Sequence, residues 1–224
     1  MSDANREAIL ERIRRALATP APAPHFLEGG VVPAGPLFPL PAPTGPGLRN
    51  RFRSEFEAVL GEFHEFESLA AAQGWLGGFV AGLNEGSVLA ADVPALRRLA
   101  SGLEGVAWIS QGGSAGDWES FGVGLTTCES LVAESGTIVV SAASSGRAAS
   151  VLPPIHIVAA TTDQLVPDLS EALARLRRKY AEGLPSSATF VTGPSRTADI
   201  EKILVVGAHG PKRLLLMLLP EGAL

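Results

Sequence analysis

Cysteine is nearly absent from this sequence. Cys128 is the only thiol in 224 residues, which excludes an intramolecular disulfide. It also leaves the chain short of the four thiolates that an iron–sulfur cluster generally takes. Histidine is scarce as well: the imidazoles at 25, 64, 156 and 209 stand at no zinc-ligand spacing, so no metal site is expected. Long apolar runs are missing. The longest late run, Leu214 to Leu219, falls far short of the roughly 20 residues that cross a bilayer, and no membrane span is expected. Basic charge is not in excess either. A net charge of -5 and a pI near 5.4 give no general attraction to phosphate backbones or anionic membranes, so nucleic acid is not an expected partner. The opening residues, MSDANREAILERIRRALA, mix charges of both signs where a signal peptide needs an unbroken apolar stretch. The cytoplasm is the expected address. The G-x-S-x-G elbow, the G-x-G-x-x-G fingerprint and the P-loop spacing are all absent.

What is present is a chain with 46% apolar and 18% charged residues, the balance of a folded protein with one sizeable core. Residues 1–18 predict a helix, with Ile9, Ile13 and Leu17 at i, i+4 and i+8 and Ser2 or Asp3 as its cap. Residues 19–48 predict a linker: nine of the 17 prolines fall between Pro20 and Pro46, and proline removes the amide donors that a regular ladder needs. Residues 49–224 predict the folded α/β domain. It opens on a long helix whose stripe is Phe52, Phe56, Val59, Phe63, Phe66 and Ala70, stopped by Gly74, Gly77 and Gly78, with His64 solvated off the stripe. Apolar runs at 106–110, 137–142, 155–160, 189–192 and 214–218 predict strands. Segments 93–101, 127–133 and 166–181 predict helices, the last with Leu169, Leu173, Leu176 and Tyr180 as its apolar face. That alternation implies a largely parallel sheet covered on both sides, with ligands at the carboxyl ends of its strands.

Four turns carry chemistry-bearing residues. In the first, Glu134 precedes Ser135, Gly136 and Thr137. A carboxylate there is either a turn cap or, if burial raises its pKa, a general base or nucleophile. In the second, Arg147 is the lone charge of a small-residue loop and offers either a planar fork for a carboxylate or phosphate or a surface ion pair. His156, after Pro153 and Pro154, reads as a core histidine bonded to a backbone carbonyl. The third turn, Gly193-Pro194-Ser195-Arg196-Thr197-Ala198-Asp199, runs from a strand toward an expected helix start. Its free amides and hydroxyls could hold an anion, although Asp199 would oppose one. In the fourth, His209 beside Gly210 is free to act as acid, base or hydrogen-bond donor.

The segments VAESGTIVV (132–140), LPPIHIV (152–158), GPSRTADIE (193–201) and GAHGPKRLLLMLL (207–219) resemble the signature blocks of the LUD domain. More closely, they resemble those of the lactate utilisation protein C, or YkgG, family. Ser135 stands where related sequences often carry Thr. The resemblance implies an α/β sandwich of the NagB/RpiA/CoA-transferase type around a mostly parallel sheet. It implies a part in oxidising L-lactate to pyruvate, as an accessory component with no cofactor of its own, whose partner proteins carry the iron–sulfur clusters. Whether such a component is itself an enzyme stays open. Superfamily relatives use a Glu as nucleophile or bind phosphosugars, and carrying that onto Glu134 is fold-level analogy. The alternatives are a stand-alone CoA-transferase- or isomerase-like enzyme and a sensor for a small carboxylate or phosphate. Both would use Glu134 and the GPSRTADIE turn.

Overall fold

The computed structural model describes residues 3–18, 46–83, 87–110, 120–145, 148–197, 205–206 and 210–224. The chain divides into two units, 1–39 and 40–224. The first contains helix α1 (Asp3–Leu17), the helix predicted for this stretch. Its Ile9 and Ile13 are 46% and 49% exposed.

The second unit contains α2 (Pro46–Ala58), whose first three residues fall inside the stretch read as linker. Here the sequence expectation needs correction, because the aromatic stripe does not lie on one helix. Phe52 and Phe56 are fully buried on α2, a contribution of about 1.5–3 kcal/mol each. The helix then stops. Gly61 N donates to Phe56 O at 2.8 Å and Leu60 N to Glu57 O at 3.0 Å, with Leu60 at φ 68°; this is the paired closure of a Schellman motif. A Cβ on Gly61 would lie 2.5 Å from the Phe56 ring, so only glycine fits beneath that side chain. Phe63 and His64 follow in β1 (Glu62–Glu65). The next helix, α3 (Leu69–Ala81), is capped by Ser68 and runs through Gly74, Gly77 and Gly78 instead of ending there.

The remaining elements are β2 (Val88–Ala91), α4 (Pro94–Leu99), β3 (Val106–Ile109), β4 (Val123–Thr127), β5 (Ser130–Val132), β6 (Thr137–Ser141) and α5 (Ala142–Ser145). They are followed by β7 (Ile155–Thr161), β8 (Leu165–Val166), α6 (Leu169–Lys179), β9 (Ala188–Val191), β10 (Arg196–Thr197), β11 (Val205–Val206) and β12 (Arg213–Leu219). Residues 127–133, read as a helix, are the end of β4 and all of β5. Residues 130–132 are buried throughout, so they show no alternation, and a short apolar run does not distinguish strand from helix.

Six strands form a sheet in the order β1-β12-β7-β4-β2-β3, every neighbouring pair parallel. Four more form a second sheet, β8-β5-β6-β9, with two antiparallel pairs. The α/β sandwich around a mostly parallel sheet is therefore the observed architecture. Ile157, Ala159, Leu215 and Met217 face α3 and α4. On the other side of the same strands, Val158, Ala160, Leu214, Leu216 and Leu218 pack against α2 and the inner face of the second sheet. That two-sided burial explains the unbroken apolar run of β12. The outer face of the second sheet meets α6 through Val139, Val166 and Ala172. Leu169 and Leu173, read as buried, are 39% and 43% exposed, while Ala172 and Leu176 go inside. The sheet touches only one edge of a broad apolar stripe, and the small Ala172 allows the helix to approach there.

Candidate functional site

Three of the four sequence blocks meet at the amino end of the parallel sheet, not at the carboxyl end that the general rule for such sheets suggested. Lys212 N and Arg213 N both donate to Pro154 O, at 2.7 and 3.2 Å, and Ser195 N donates to Pro211 O at 2.9 Å. These bonds tie the starts of β7 and β12 to the Gly-Pro-Ser turn. The turn needs its glycines. Gly193 adopts φ 83°, and a Cβ on it would lie 2.2 Å from Val59 O; Gly210, at φ 112°, packs against Ser195. Between the blocks lies a cavity of 280 Å³ whose lining includes His156, Thr192, Gly193, Ser195, Gly210 and Leu214. A neighbouring hollow of 270 Å³ shares Ser150, Val151 and Thr189 with it and adds Ser186 and Ser187.

His156 is wholly buried in the wall of the first cavity. Its Nε2 lies 2.9 Å from Thr126 Oγ1, a side-chain hydroxyl and not the backbone carbonyl expected. Its Nδ1 has no partner among the described residues. Burial pushes its pKa from 6.5 down to about 4, so the ring is neutral at physiological pH. No charged side chain among the described residues lines this cavity. Apolar walls with a few convergent polar groups suit a small organic molecule more than a bare phosphate.

The first block joins the site through hydroxyls. Ser135 Oγ lies 2.7 Å from Thr137 Oγ1, which lies 2.8 Å from Thr192 Oγ1. Gly136, at φ 61°, lets the turn press on α2, where a Cβ would come within 2.3 Å of Phe56 N. Glu134 faces elsewhere: its half-buried carboxylate accepts from Leu169 N at 3.4 Å, at the start of α6, where the helix dipole favours an anion. Arg196 is exposed and its Nη2 donates to Thr192 O at 3.4 Å. Arg196 and Thr197 form β10, paired antiparallel with β11, where a helix start was expected. Arg147, Asp199 and His209 lie outside the described residues. The structure thus brings together Ser135, Thr137, Gly193, Ser195 and Gly210 and sets Glu134 apart.

Sequence reasoning missed a different carboxylate. Glu129, 4% exposed, accepts from Ser141 Oγ at 2.6 Å, Lys179 Nζ at 2.8 Å and Tyr180 OH at 2.9 Å. Burial pushes its pKa up, but the hydrogen bonds from Lys179 and Ser141 and the Lys179 charge outweigh that and hold it below the ordinary carboxylate value. The same pairing lifts Lys179 against the burial that would lower it. Only the setting of Glu129 among Thr126, Thr127 and Ser130 in an otherwise apolar stretch hinted at a buried polar knot. His64 is not solvated: its ring lies 4.5 Å from Trp75, and burial lowers its pKa.

Among the described residues, no group of three or more His, Cys, Asp or Glu is placed to hold a metal ion. None of the described helices is long and apolar enough to cross a membrane.

Residues 117–219 match the model of the LUD domain family. The matched stretch takes in β4 through β12 and all four blocks described above. The chain is also similar to lactate utilization protein C of Bacillus licheniformis, 38% identical over 126 residues, half of this chain and 52% of that protein. The Bacillus subtilis protein of the same name is 36% identical over 129 residues, covering 51% and 54% of the two chains. That of Halalkalibacterium halodurans is 44% identical over 98 residues, covering 42% and 43%. The chain thus spans about half the length of the curated relatives it matches. In solved structures, a DUF162 family protein from Deinococcus radiodurans shares the fold, with a TM-score of 0.59 at 24% identity over 77% of this chain and 96% of that one. The LUD domain match begins beyond β3, so β1, β2 and β3 of the parallel sheet come from sequence outside it.

Proposed function

We propose that this protein is an accessory component of an L-lactate utilisation system, in which lactate is oxidised to pyruvate by partners that carry the iron–sulfur clusters. The observation that carries the reading is the likeness to lactate utilization protein C, beside the match of residues 117–219 to the LUD domain family. The division of labour is supported by the thiol inventory. Cys128 is the sole cysteine, and burial pushes its thiol pKa far up, so it is unsuited to bind iron as a thiolate. In this reading the working domain starts with α2 at Pro46, residues 1–18 are its N-terminal helix and the proline-rich stretch from 19 to 45 the linker between them, all in the cytoplasm. The 280 Å³ cavity at the amino end of the sheet is then a binding site for a small carboxylate or another small organic molecule.

Reconstitution tests the reading. The chain, mixed with purified iron–sulfur proteins of a lactate utilisation system, is expected to associate with them and to raise their lactate-dependent reduction of an electron acceptor. If it alters neither association nor rate, the accessory role is wrong.

A further inference from the structure

A third cavity, of 340 Å³, opens at the opposite, carboxyl end of the parallel sheet. Its position follows from the topology. The chain leaves β2 for β3 on one side and leaves β4 for β7 and β12 on the other, so the connections part between β2 and β4. The crevice beyond such a parting is where open α/β sheets hold ligands. Ala95, after β2, and Glu129, after β4, both line it, together with Asp163 after β7 and Arg175 and Lys179 from α6.

The wall chemistry narrows the ligand. Arg175 and Lys179 lie one turn apart on α6 and supply two cations, while Glu129 and Asp163 supply two carboxylates. The Oε1 of Glu129 already accepts from Ser141 and Tyr180, but among the described residues its Oε2 accepts from Lys179 alone and retains capacity for another donor. Arg175 is loosely held. Its Nη1 donates to the Asp163 carbonyl, and its Nη2 is 3.5 Å from the Asp163 carboxylate, which leaves guanidinium N–H groups for a ligand. A phosphate dianion would meet two carboxylates in the wall. A monoanion that also donates a hydrogen bond meets a complementary set, and the volume lies at the small end of ligand cavities, about 300–1,000 Å³.

We propose that this cavity binds a small 2-hydroxycarboxylate. Its carboxylate lies on Arg175 and Lys179, and its hydroxyl donates to Glu129 Oε2. The choice of L-lactate as probe rests on the lactate-utilisation reading. The two claims fail separately, since binding is read on the isolated chain and the accessory role on the reconstituted system. Calorimetric titration of the whole chain at neutral pH compares L-lactate, propionate and inorganic phosphate. L-lactate is expected to bind at least tenfold more tightly than propionate, which lacks the hydroxyl, and more tightly than phosphate, whose dianionic form at neutral pH meets both wall carboxylates. Arg175→Ala, at a partly exposed position, is expected to weaken L-lactate at least tenfold with an unchanged circular dichroism spectrum. Should that variant be unstable, Arg175→Lys keeps the charge without the planar fork and is expected to bind at least threefold more weakly. Absence of lactate binding, equal binding of propionate, tighter binding of phosphate, or wild-type affinity in the folded arginine variant would each overturn the assignment.

Discussion

His156 ties the fold to pH in a way that can be measured. The ring is wholly buried, touches one hydroxyl, and has its pKa pushed from 6.5 to about 4. A histidine whose folded pKa lies below its unfolded value takes up its proton first in the unfolded chain. Stability is therefore complete above pH 6.5 and drains away as pH falls toward 4. At 1.36 kcal/mol per pH unit the whole window is worth about 3 kcal/mol, and the stretch from 6.5 to 5 about 2 kcal/mol. For a chain of this size that is about 4–8 °C in Tm. His156→Gln removes the titrating group and keeps a polar side chain near Thr126. Denaturant unfolding of both proteins at pH 7.5 and pH 5 isolates the effect, because every other titrating group is common to the pair. The wild-type protein is expected to lead at pH 7.5 and to lose about 2 kcal/mol of that lead by pH 5. A lead that stays constant across this range within about 0.5 kcal/mol would show that the buried ring titrates as it does in the unfolded chain, and the reasoning from desolvation would be refuted.

Other substitutions probe the turns and the buried carboxylate. Leu60→Gly, at an exposed position with φ 68°, is expected to stabilise by about 0.5–1 kcal/mol in urea unfolding, since glycine carries no Cβ penalty there. Gly136→Ala, where φ is 61° and a Cβ would strike Phe56 N, is expected to destabilise by about 2–4 kcal/mol by the same measurement. Glu129→Gln removes the partner of Lys179. Because that ammonium remains half solvated, the expected cost near neutrality is about 1–3 kcal/mol. The pKa of Glu129 is lowered in the folded state, so its contribution is present above the ordinary carboxylate value of about 4.3 and lost as pH falls below it. Unfolding curves at pH 3 and pH 6 are expected to show a smaller acid loss in the variant than in the wild-type protein.

The strands β6, β7 and β12 were legible in the sequence because each is an apolar run bounded by turn residues. The parallel sheet followed from their alternation with helices. The break after α2 was not legible, since its left-handed closing residue is Leu60 and not the glycine that marks most such ends, while the aromatic spacing continues across it. The segments β4 and β5 were hidden by burial on both faces. Of the candidate site, the blocks themselves could be read, but their gathering at the amino end could not. It depends on backbone bonds such as Lys212 to Pro154, which join segments far apart in the chain. Glu129 was invisible for the same reason: its partners Ser141, Lys179 and Tyr180 lie 12, 50 and 51 residues on.

The claim that this chain assists redox work without carrying electrons is tested most directly on the protein alone. Purified anaerobically, it is assayed for bound iron and flavin and for L-lactate-dependent reduction of an artificial acceptor. The expected result is neither cofactor nor turnover. An isolated chain that holds an iron–sulfur cluster or a flavin and oxidises lactate unaided would contradict the account.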